Sequence, residues 1–577
     1  MNKNIKKILE ENLKLKAKIK DLSKQKKFGI VWEDVEEDLE HGINDVVPFL
    51  VSKHDKEKID AGTLSLNNNY LIEGENLFSL EILLATHKGK IDLIYIDPPY
   101  NSPNSRTIYK NKFGSKDDLY KHSEFLSMIN KRIRLARELL SDDGVIFLTI
   151  DDYEISVLRP LMDEIFGEDN RLSQLTIVHN EGGRDDHDFF APTHEYALVY
   201  AKDIKKCSTA SINLTEEEKE KYPLEDNISF YKPAPFSRSG RNSTVAERPN
   251  MFYPIYYSSQ ENKLSLSKEN KEFIKILPPK NNNEEQSVWR WGKETFLKSK
   301  DTELFVEKKN NEYVIKIKNR LSSNKGKKPK TVWSGPQYNA ATHGTKLVDN
   351  ILNSRGDFDY PKSLYAVIES LLIGLGSKKN GIILDFYAGS GTTGHALLDI
   401  NFQKGTEHKF ILCTNNENHI SENITFQRLK NVINGYKSKD GSKIAGINGN
   451  LRYLKVDFFK KKDPNYFQDE EKIALSENLG YVLALKEDTP NLVKKNKFFQ
   501  IYKSLGKICA LYFNEDTSRI NDLVVELDAY KEEKIMYIFS WTANSYTTHE
   551  LNQKNILVRD LPESILKNHF SFLQICN

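Results

Sequence analysis

Residues Ile91-Asp92-Leu93-Ile94-Tyr95-Ile96 are apolar but for Asp92, and they run straight into Asp97-Pro98-Pro99-Tyr100. A near-continuous apolar run of this length is the pattern of a parallel strand buried on both faces, which places the chain among α/β sheets. Its carboxyl end, where ligands bind in open α/β sheets, carries a carboxylate, two rigid residues and an aromatic ring. Pro98 and Pro99 fix φ and remove two N–H donors, so the local carbonyls are left to accept hydrogen bonds. Such a site suits a planar base held by its exocyclic amine and stacked on Tyr100. The competing reading is an ordinary strand-ending turn, since Asp and Pro are common turn residues.

A second strand, Ile382-Ile383-Leu384-Asp385, feeds Phe386-Tyr387-Ala388-Gly389-Ser390-Gly391-Thr392-Thr393-Gly394 and then a helix beginning at His395. Gly389, Gly391 and Gly394 have the spacing of a nucleotide-binding turn, in which glycine lets the backbone approach a ligand. Glu417 follows the next strand, Phe410–Thr414, near the position where an acid takes the two ribose hydroxyls.

The pair Asp97–Tyr100 and Asp385–Gly391 resembles motifs IV and I of the amino-group DNA methyltransferases. The order, catalytic motif first and cofactor motif hundreds of residues later, is similar to their permuted β class, and aspartate at position 97 resembles the N6-adenine enzymes. Leu71–Leu77 resembles the family's Gly-Asp-Asn-Leu strand end, with Glu75 standing where aspartate is usual. Thr193–Lys202 and Phe358–Ser363 are similar to further family blocks, the second to motif X, with Ser363 where proline is common. The likeness spans roughly residues 28–435 and is nearest to the modification (Mod) subunit of type III restriction–modification systems. It implies S-adenosyl-L-methionine as cofactor and needs no metal. It implies catalytic roles for Asp97, Pro98, Pro99 and Tyr100. Cofactor contacts are implied for Glu75, Asn76, Asp97, Lys362, Asp385, Phe386, Ala388, Gly389, Ser390, Gly391, Thr392 and Glu417. The implied partners are duplex DNA, a second copy of the chain and a helicase-nuclease restriction subunit. Transfer to RNA or another amino-bearing substrate, and a recognition subunit that only tethers a nuclease, are the alternatives.

A net charge of +2 with 29% charged residues says little about nucleic acid; the distribution says more. Lys308, Lys309, Lys316, Lys318, Arg320, Lys325, Lys327, Lys328 and Lys330 form a basic run. Upstream, Arg238, Arg241 and Arg248 are interleaved with Phe230, Tyr231, Phe236, Phe252, Tyr253, Tyr256 and Tyr257. That mixture suits phosphate and base contacts, against the alternative of a solvated lysine-rich face. Cys207, Cys413, Cys509 and Cys576 lie too far apart for a zinc signature. With no signal peptide or long apolar run, the chain reads as a reduced, cytoplasmic protein without a membrane span.

The expected organisation is a permuted Rossmann-like α/β methyltransferase sheet with an inserted target-recognition domain, an N-terminal helix and a small C-terminal α/β domain. Residues 1–27 form the helix, 28–203 the first catalytic half, 204–330 the insert, 331–450 the second catalytic half and 451–577 an assembly or partner-docking domain. In the helix, Ile5, Ile8, Asn12, Leu15, Ile19 and Leu22 follow a heptad with Asn12 at an a position. That pattern fits either a short dimeric coiled coil or a helix lying on the catalytic domain. Thr342–Lys346 reads as a lid over the site or as a plain loop.

Overall fold

A computed structural model of the protein describes Trp32, Glu37 and residues 45–52, 68–101, 121–183, 189–463, 468–539 and 555–561, except 212–213, 215, 282, 324–325, 357 and 515. The N-terminal heptad and Cys576 lie outside the described residues. The described chain divides into two compact units: Ser211–Pro329, and the residues on either side of it, up to Ala210 and from Lys330.

The larger unit is built on a ten-stranded sheet. Its strands, in chain order, are β1 (Val46–Ser52), β2 (Tyr70–Glu73), β3 (Ile91–Ile96), β4 (Leu140–Ile150), β5 (Arg171–Val178), β6 (His194–Ala201), β7 (Val332–Trp333), β8 (Ile382–Asp385), β9 (Lys409–Thr414) and β10 (Arg452–Lys460). In space they run β1-β10-β2-β9-β8-β3-β4-β6-β5-β7. The six strands from β10 to β4 are mutually parallel, and β6 reverses direction against both β4 and β5. Helices α1 (Asn76–His87), α2 (Lys121–Leu139) and α3 (Ile155–Phe166) cover one face, while α4 (Leu364–Leu375), α5 (Thr392–Lys404) and α6 (Phe426–Asn434) cover the other.

The apolar run of β3 is explained by this double cover. Ile94 and Ile96 pack into the layer with Leu80, Phe125 and Ile129, and Leu93 and Tyr95 into the layer with Val367, Leu371 and Leu397. Asp92, its one polar residue, accepts the Ile382 N–H at 2.8 Å and pairs with Lys378, so it ties the starts of β3 and β8 together.

Two expectations about boundaries are corrected. Residue 450 does not end the catalytic half: β10 follows it and pairs with β2 and β1 inside the main sheet. Nor do residues after 460 stand apart. Helix α7 (Gly480–Glu487) and the five-stranded sheet of β11 (Asn491–Lys495), β12 (Phe499–Ser504), β13 (Lys507–Tyr512), β14 (Glu533–Ile538) and β15 (Ile556–Asp560) belong to the same unit. Leu483, Tyr502, Cys509 and Ile535 share one apolar core with Val47, Leu77 and Leu80. Asp488, in the left-handed conformation after α7, accepts from the Asn68 amide at 3.1 Å and the Tyr70 hydroxyl at 2.7 Å. Thr342–Lys346, read as a lid or a plain loop, falls in a helical turn (Ala341–Thr345) running into the helix Lys346–Leu352. Gly344 sits so close to the Pro361 carbonyl that a Cβ would overlap it.

The smaller unit has its own core of Phe236, Tyr253, Ile255, Trp289, Phe296 and Ile315. A four-stranded antiparallel sheet (Leu304–Lys309, Glu312–Arg320, Phe230–Pro235, Leu224–Glu225) and a three-stranded one (Ile255–Ser258, Lys263–Ser265, Ile274–Ile276) build it. Part of the basic and aromatic pattern is therefore internal. Phe236, Tyr253 and Tyr257 are buried, and Arg320 is locked between Asp226 at 2.6 Å and Glu303 at 2.8 Å. Lys318 joins Asp226 at 2.7 Å. Arg241, Lys308, Lys309 and Lys328 remain exposed.

Candidate active site

Parallel pairing of β8 with β3, Ile383 opposite Leu93 and Leu384 opposite Ile94, sends Asp385 and Asp97 out of neighbouring strands at the same edge. The next strand, β4, ends at Ile150 beside them. Because β6 runs backwards, with Tyr196 opposite Ile150, its beginning rather than its end reaches that edge and brings Glu195 there. Residues far apart in the chain thus meet at the point where ligands enter an open α/β sheet.

Asp97 is held by the Thr149 hydroxyl, which donates to Oδ1 at 2.7 Å, and by Lys362, whose Nζ lies 3.2 Å from the same oxygen. The Lys362 ammonium also bonds Glu195 and the Tyr100 hydroxyl, and sits 4.5 Å above the centre of the Tyr100 ring. The Tyr100 hydroxyl donates to Glu195 Oε2 at 3.0 Å. Side-chain exposure is 8% for Glu195, 12% for Lys362 and 28% for Asp97, so Asp97 is the most open of these three to an incoming ligand. Burial and then the Glu195 charge raise the Asp97 pKa, while Lys362 opposes both. Burial, the largest single influence, would raise Glu195 too, but the Lys362 and His179 charges and the hydrogen bonds from Lys362 and Tyr100 together outweigh it and hold that carboxyl below its ordinary range. Lys362 is pushed up despite burial, by Asp97 and Glu195.

The bend after Tyr100 is pinned separately. Asn101 adopts a left-handed conformation (φ 53°), and its amide donates to Glu154 Oε1 at 2.8 Å and the Lys121 carbonyl at 3.1 Å. His122 meets the same Glu154 oxygen at 2.9 Å. Pro98 is buried and Pro99 half-buried.

On the other side of Asp385 the glycine turn is braced from within. Asp385 accepts the Tyr387 N–H at 2.9 Å and the Thr393 hydroxyl at 2.6 Å, and burial lifts its pKa to about 7. The buried Phe386 carbonyl accepts from the Asn76 amide at 3.2 Å, and the Ala388 N–H donates to the Cys413 carbonyl at 3.1 Å. Arg132, held by Glu37 at 2.9 Å, donates in turn to Asn76. Fully buried Arg428 donates to Ser390 Oγ at 3.0 Å and Thr392 Oγ1 at 2.8 Å. The glycines serve different ends from ligand approach alone. A Cβ on Gly391, at φ 76°, would meet Thr425 Cγ2 at 3.2 Å, and one on Gly394 would meet Leu429 at 2.9 Å and Leu412 at 3.0 Å. Both are therefore demanded by helix and strand packing, whereas Gly389 (φ 48°) faces Phe358 at 3.1 Å.

Glu75 stands at the N-cap position of α1 without a side-chain capping bond and accepts from the Asn415 amide at 3.2 Å, while Glu417 opens a short helical turn just after β9. The neighbouring ends of β2, β9, β8 and β3 therefore carry Glu75, Asn415, Asp385 and Asp97 in order along one edge. Thr414 Oγ1 and Asn415 Oδ1 are buried there without a hydrogen-bond partner among the described residues. Among the described residues no cluster of His, Cys, Asp and Glu is arranged to hold a metal ion, and no helix is long and apolar enough to cross a membrane.

Sequence reasoning brought Asp97, Tyr100, Lys362 and the Asp385–Thr392 turn to notice but not Glu195, Thr149 or Arg428. The block Thr193–Lys202 flags the first of these; nothing local marks Arg428, whose partners lie more than 30 residues away.

A family model described as DNA methylase matches residues 91–427, which takes in both the Asp97 segment and the glycine turn. The Mod subunit of the type III restriction–modification enzyme EcoPI, from Escherichia phage P1, is 31% identical over 402 residues, covering 64% of this chain and 60% of that protein. The type II methyltransferase M.KpnI of Klebsiella pneumoniae is 33% identical over 365 residues, covering 62% and 84%. The StyLTI Mod subunit of Salmonella typhimurium is 30% identical over 382 residues, covering 62% and 54%. The chain thus matches less than two-thirds of the length of either Mod subunit. A family match over more than half of the chain that holds both strand-end motifs, set on adjacent strands of one parallel sheet, places the chain in the N6/N4 DNA methylase family.

Proposed function

We propose that the protein transfers a methyl group from S-adenosyl-L-methionine to N6 of an adenine flipped out of duplex DNA, as the modification component of a restriction–modification system. The observation that carries this reading is the Asp97–Tyr100 pocket at the end of β3, beside the glycine turn that leaves β8. When bound, the cofactor supplies an electrophilic sulfonium methyl group. The residues fit it: Glu75 and Asn415 offer acceptors for its adenine, Glu417 for its ribose, and the Asp385–Thr392 turn a close backbone for its methionine part.

The target base cannot be reached inside the duplex, and extruding it costs a few kcal/mol. Stacking on Tyr100 returns roughly 1–3 kcal/mol, and phosphate contacts supply more. Asp97 and the Pro98 carbonyl accept the hydrogens of the amine, which turns its lone pair away from the ring and toward the methyl carbon. Holding the nitrogen in that near-attack position accounts for much of the rate gain. No proton has to leave before attack, because the amine is a neutral nucleophile. Once methylated, the nitrogen would shed a proton, and Asp97 at the end of β3 would be the base to take it.

Ser211–Pro329 serves as the sequence reader in this scheme, with Arg241, Lys308, Lys309 and Lys328 available to phosphates. The description of relatives as Mod subunits of restriction–modification enzymes supports a restriction subunit as partner, while the heptad at Ile5–Leu22 is the reason to propose a second copy. Nucleoside analysis of duplex DNA incubated with the purified chain and labelled cofactor tests the chemistry. N6-methyladenine is expected; label only in N4-methylcytosine overturns the choice of base, and label only in RNA overturns the choice of substrate. Sedimentation of the full chain at micromolar concentration tests the dimer, and a monomer methylating at full rate refutes it.

A further inference from the structure

Four side chains from distant segments converge at the strand ends: Asp97 and Tyr100 after β3, Glu195 at the start of β6, and Lys362 just before α4. Two carboxylates against a single ammonium leave one net negative charge in a nearly dry space. Like charges this close cannot both stay ionised without a counter-ion. Lys362 is that counter-ion for both, since it pairs with each carboxylate. Its Nζ reaches Asp97 at 3.2 Å, while the Tyr100 hydroxyl, at 3.0 Å from Glu195, closes the other side of the ring of contacts.

We propose that Lys362 and Glu195 are a pair of positioning residues that set the charge on Asp97: Lys362 keeps Asp97 ionised and turned toward the target amine, and Glu195 fixes Lys362 beneath it. This rests on the methyl-transfer reading above. An ionised Asp97 can accept both the amine hydrogen bond and, after the N–C bond has formed, the proton the nitrogen sheds. A protonated Asp97 cannot take that proton, and its neutral carbonyl oxygen is a weaker acceptor for the amine.

The other groups around Asp97 raise the need for the lysine. Tyr95 lies beside it on β3, Asp385 faces it from β8 and Asp151 follows the end of β4, so among these neighbours only Lys362 favours the charged form electrostatically. His179 acts on Glu195. Thr149 helps through its hydrogen bond to Asp97.

The test is the single-turnover pH–rate profile of the full chain on duplex DNA at saturating cofactor. Transfer requires ionised Asp97, so the rate rises with pH through its pKa. Lys362→Met removes the cation and should move that acidic limb to higher pH by about one to three units, with a tenfold or greater loss near pH 7 that recovers as pH rises. Glu195→Gln removes the second anion and should move the limb lower. The double variant should fall between them, and Lys362→Arg should restore much of the wild-type profile. Cofactor affinity, measured by calorimetry, should be kept or strengthened in Lys362→Met. Unmoved limbs in all variants, or a tenfold loss of cofactor affinity with an unmoved limb, overturns the proposal and makes Lys362 a cofactor ligand or a structural lysine. Should wild type transfer no methyl group to any nucleic acid, the functional reading fails instead. The pair is then judged by stability alone: Lys362→Met should be destabilised at pH 8 more than at pH 5, and adding Glu195→Gln should remove that difference. A pH-independent loss refutes it.

Discussion

Replacing Asp385 by asparagine should change how the stability of the protein depends on pH. Asp385 is 3% exposed, and burial lifts its carboxyl from an ordinary value of 3.8 to about 7. A group whose folded pKa is raised binds its proton more tightly in the native state. Its stabilising share is complete below the unfolded pKa and is lost as pH rises through the folded one. A displacement of roughly three pH units at 1.36 kcal/mol each corresponds to about 4 kcal/mol, nearly all of it lost between pH 4 and pH 8. The substituted asparagine cannot ionise. Its carbonyl can still accept the Tyr387 N–H, and its amide can donate to the Thr393 hydroxyl that now donates to Asp385. Urea unfolding of wild type and Asp385→Asn at a series of pH values is the assay. The variant should gain on wild type by about 2–4 kcal/mol from pH 4 to pH 8. Asp151, also raised to about 7, is present in both proteins and cancels in the difference. A difference that stays flat across that range, or that shrinks as pH rises, would refute the burial argument.

Tyr100→Ala should slow methyl transfer by about 1–3 kcal/mol, roughly 5- to 150-fold, through lost stacking. Tyr100→Phe, which loses the hydroxyl contacts but keeps the ring, should be milder, and equal losses in single-turnover rates would remove stacking as the cause. Arg320→Gln should lower the stability of Ser211–Pro329, because it takes the guanidinium from Glu303 and leaves Asp226 with Lys318 alone. Lys308→Gln and Lys309→Gln should leave the melting curve alone and each lower the salt slope of DNA binding by about 1; identical behaviour of all three variants contradicts the division. At Gly374 an added Cβ would stand 2.5 Å from Leu93 Cδ1 on β3 and 3.1 Å from Phe147 Cε2. Gly374→Ala should therefore cost about 1–3 kcal/mol in overpacking, offset in part by about 1 kcal/mol of helix propensity; a net stabilisation in denaturant titration would show that Leu93 yields freely.

The amino-acid sequence by itself determined the two strand-end motifs and the kind of sheet that carries them. An unbroken apolar run such as Leu93–Ile96 can be satisfied only when both faces are covered, and Asp-Pro-Pro-Tyr and the Asp385–Gly394 turn carry their chemistry in contiguous residues.

Tertiary structure decided what depends on partners far away in the chain. Whether Lys318 and Arg320 are free for phosphates turned on Asp226, more than 90 residues earlier. Residue 450 looked like a boundary because the pattern changes there, yet β10 completes the sheet by pairing with strands near the other end of the chain. Gly391 and Gly394 read as ligand-contacting glycines, but Thr425, Leu412 and Leu429 occupy the space a side chain would need. The surroundings of Asp97 were the least legible of all. Lys362 and Glu195 reach it only because β8 pairs with β3 and β6 runs antiparallel to β4, and the charge a carboxylate carries is set by neighbours in space.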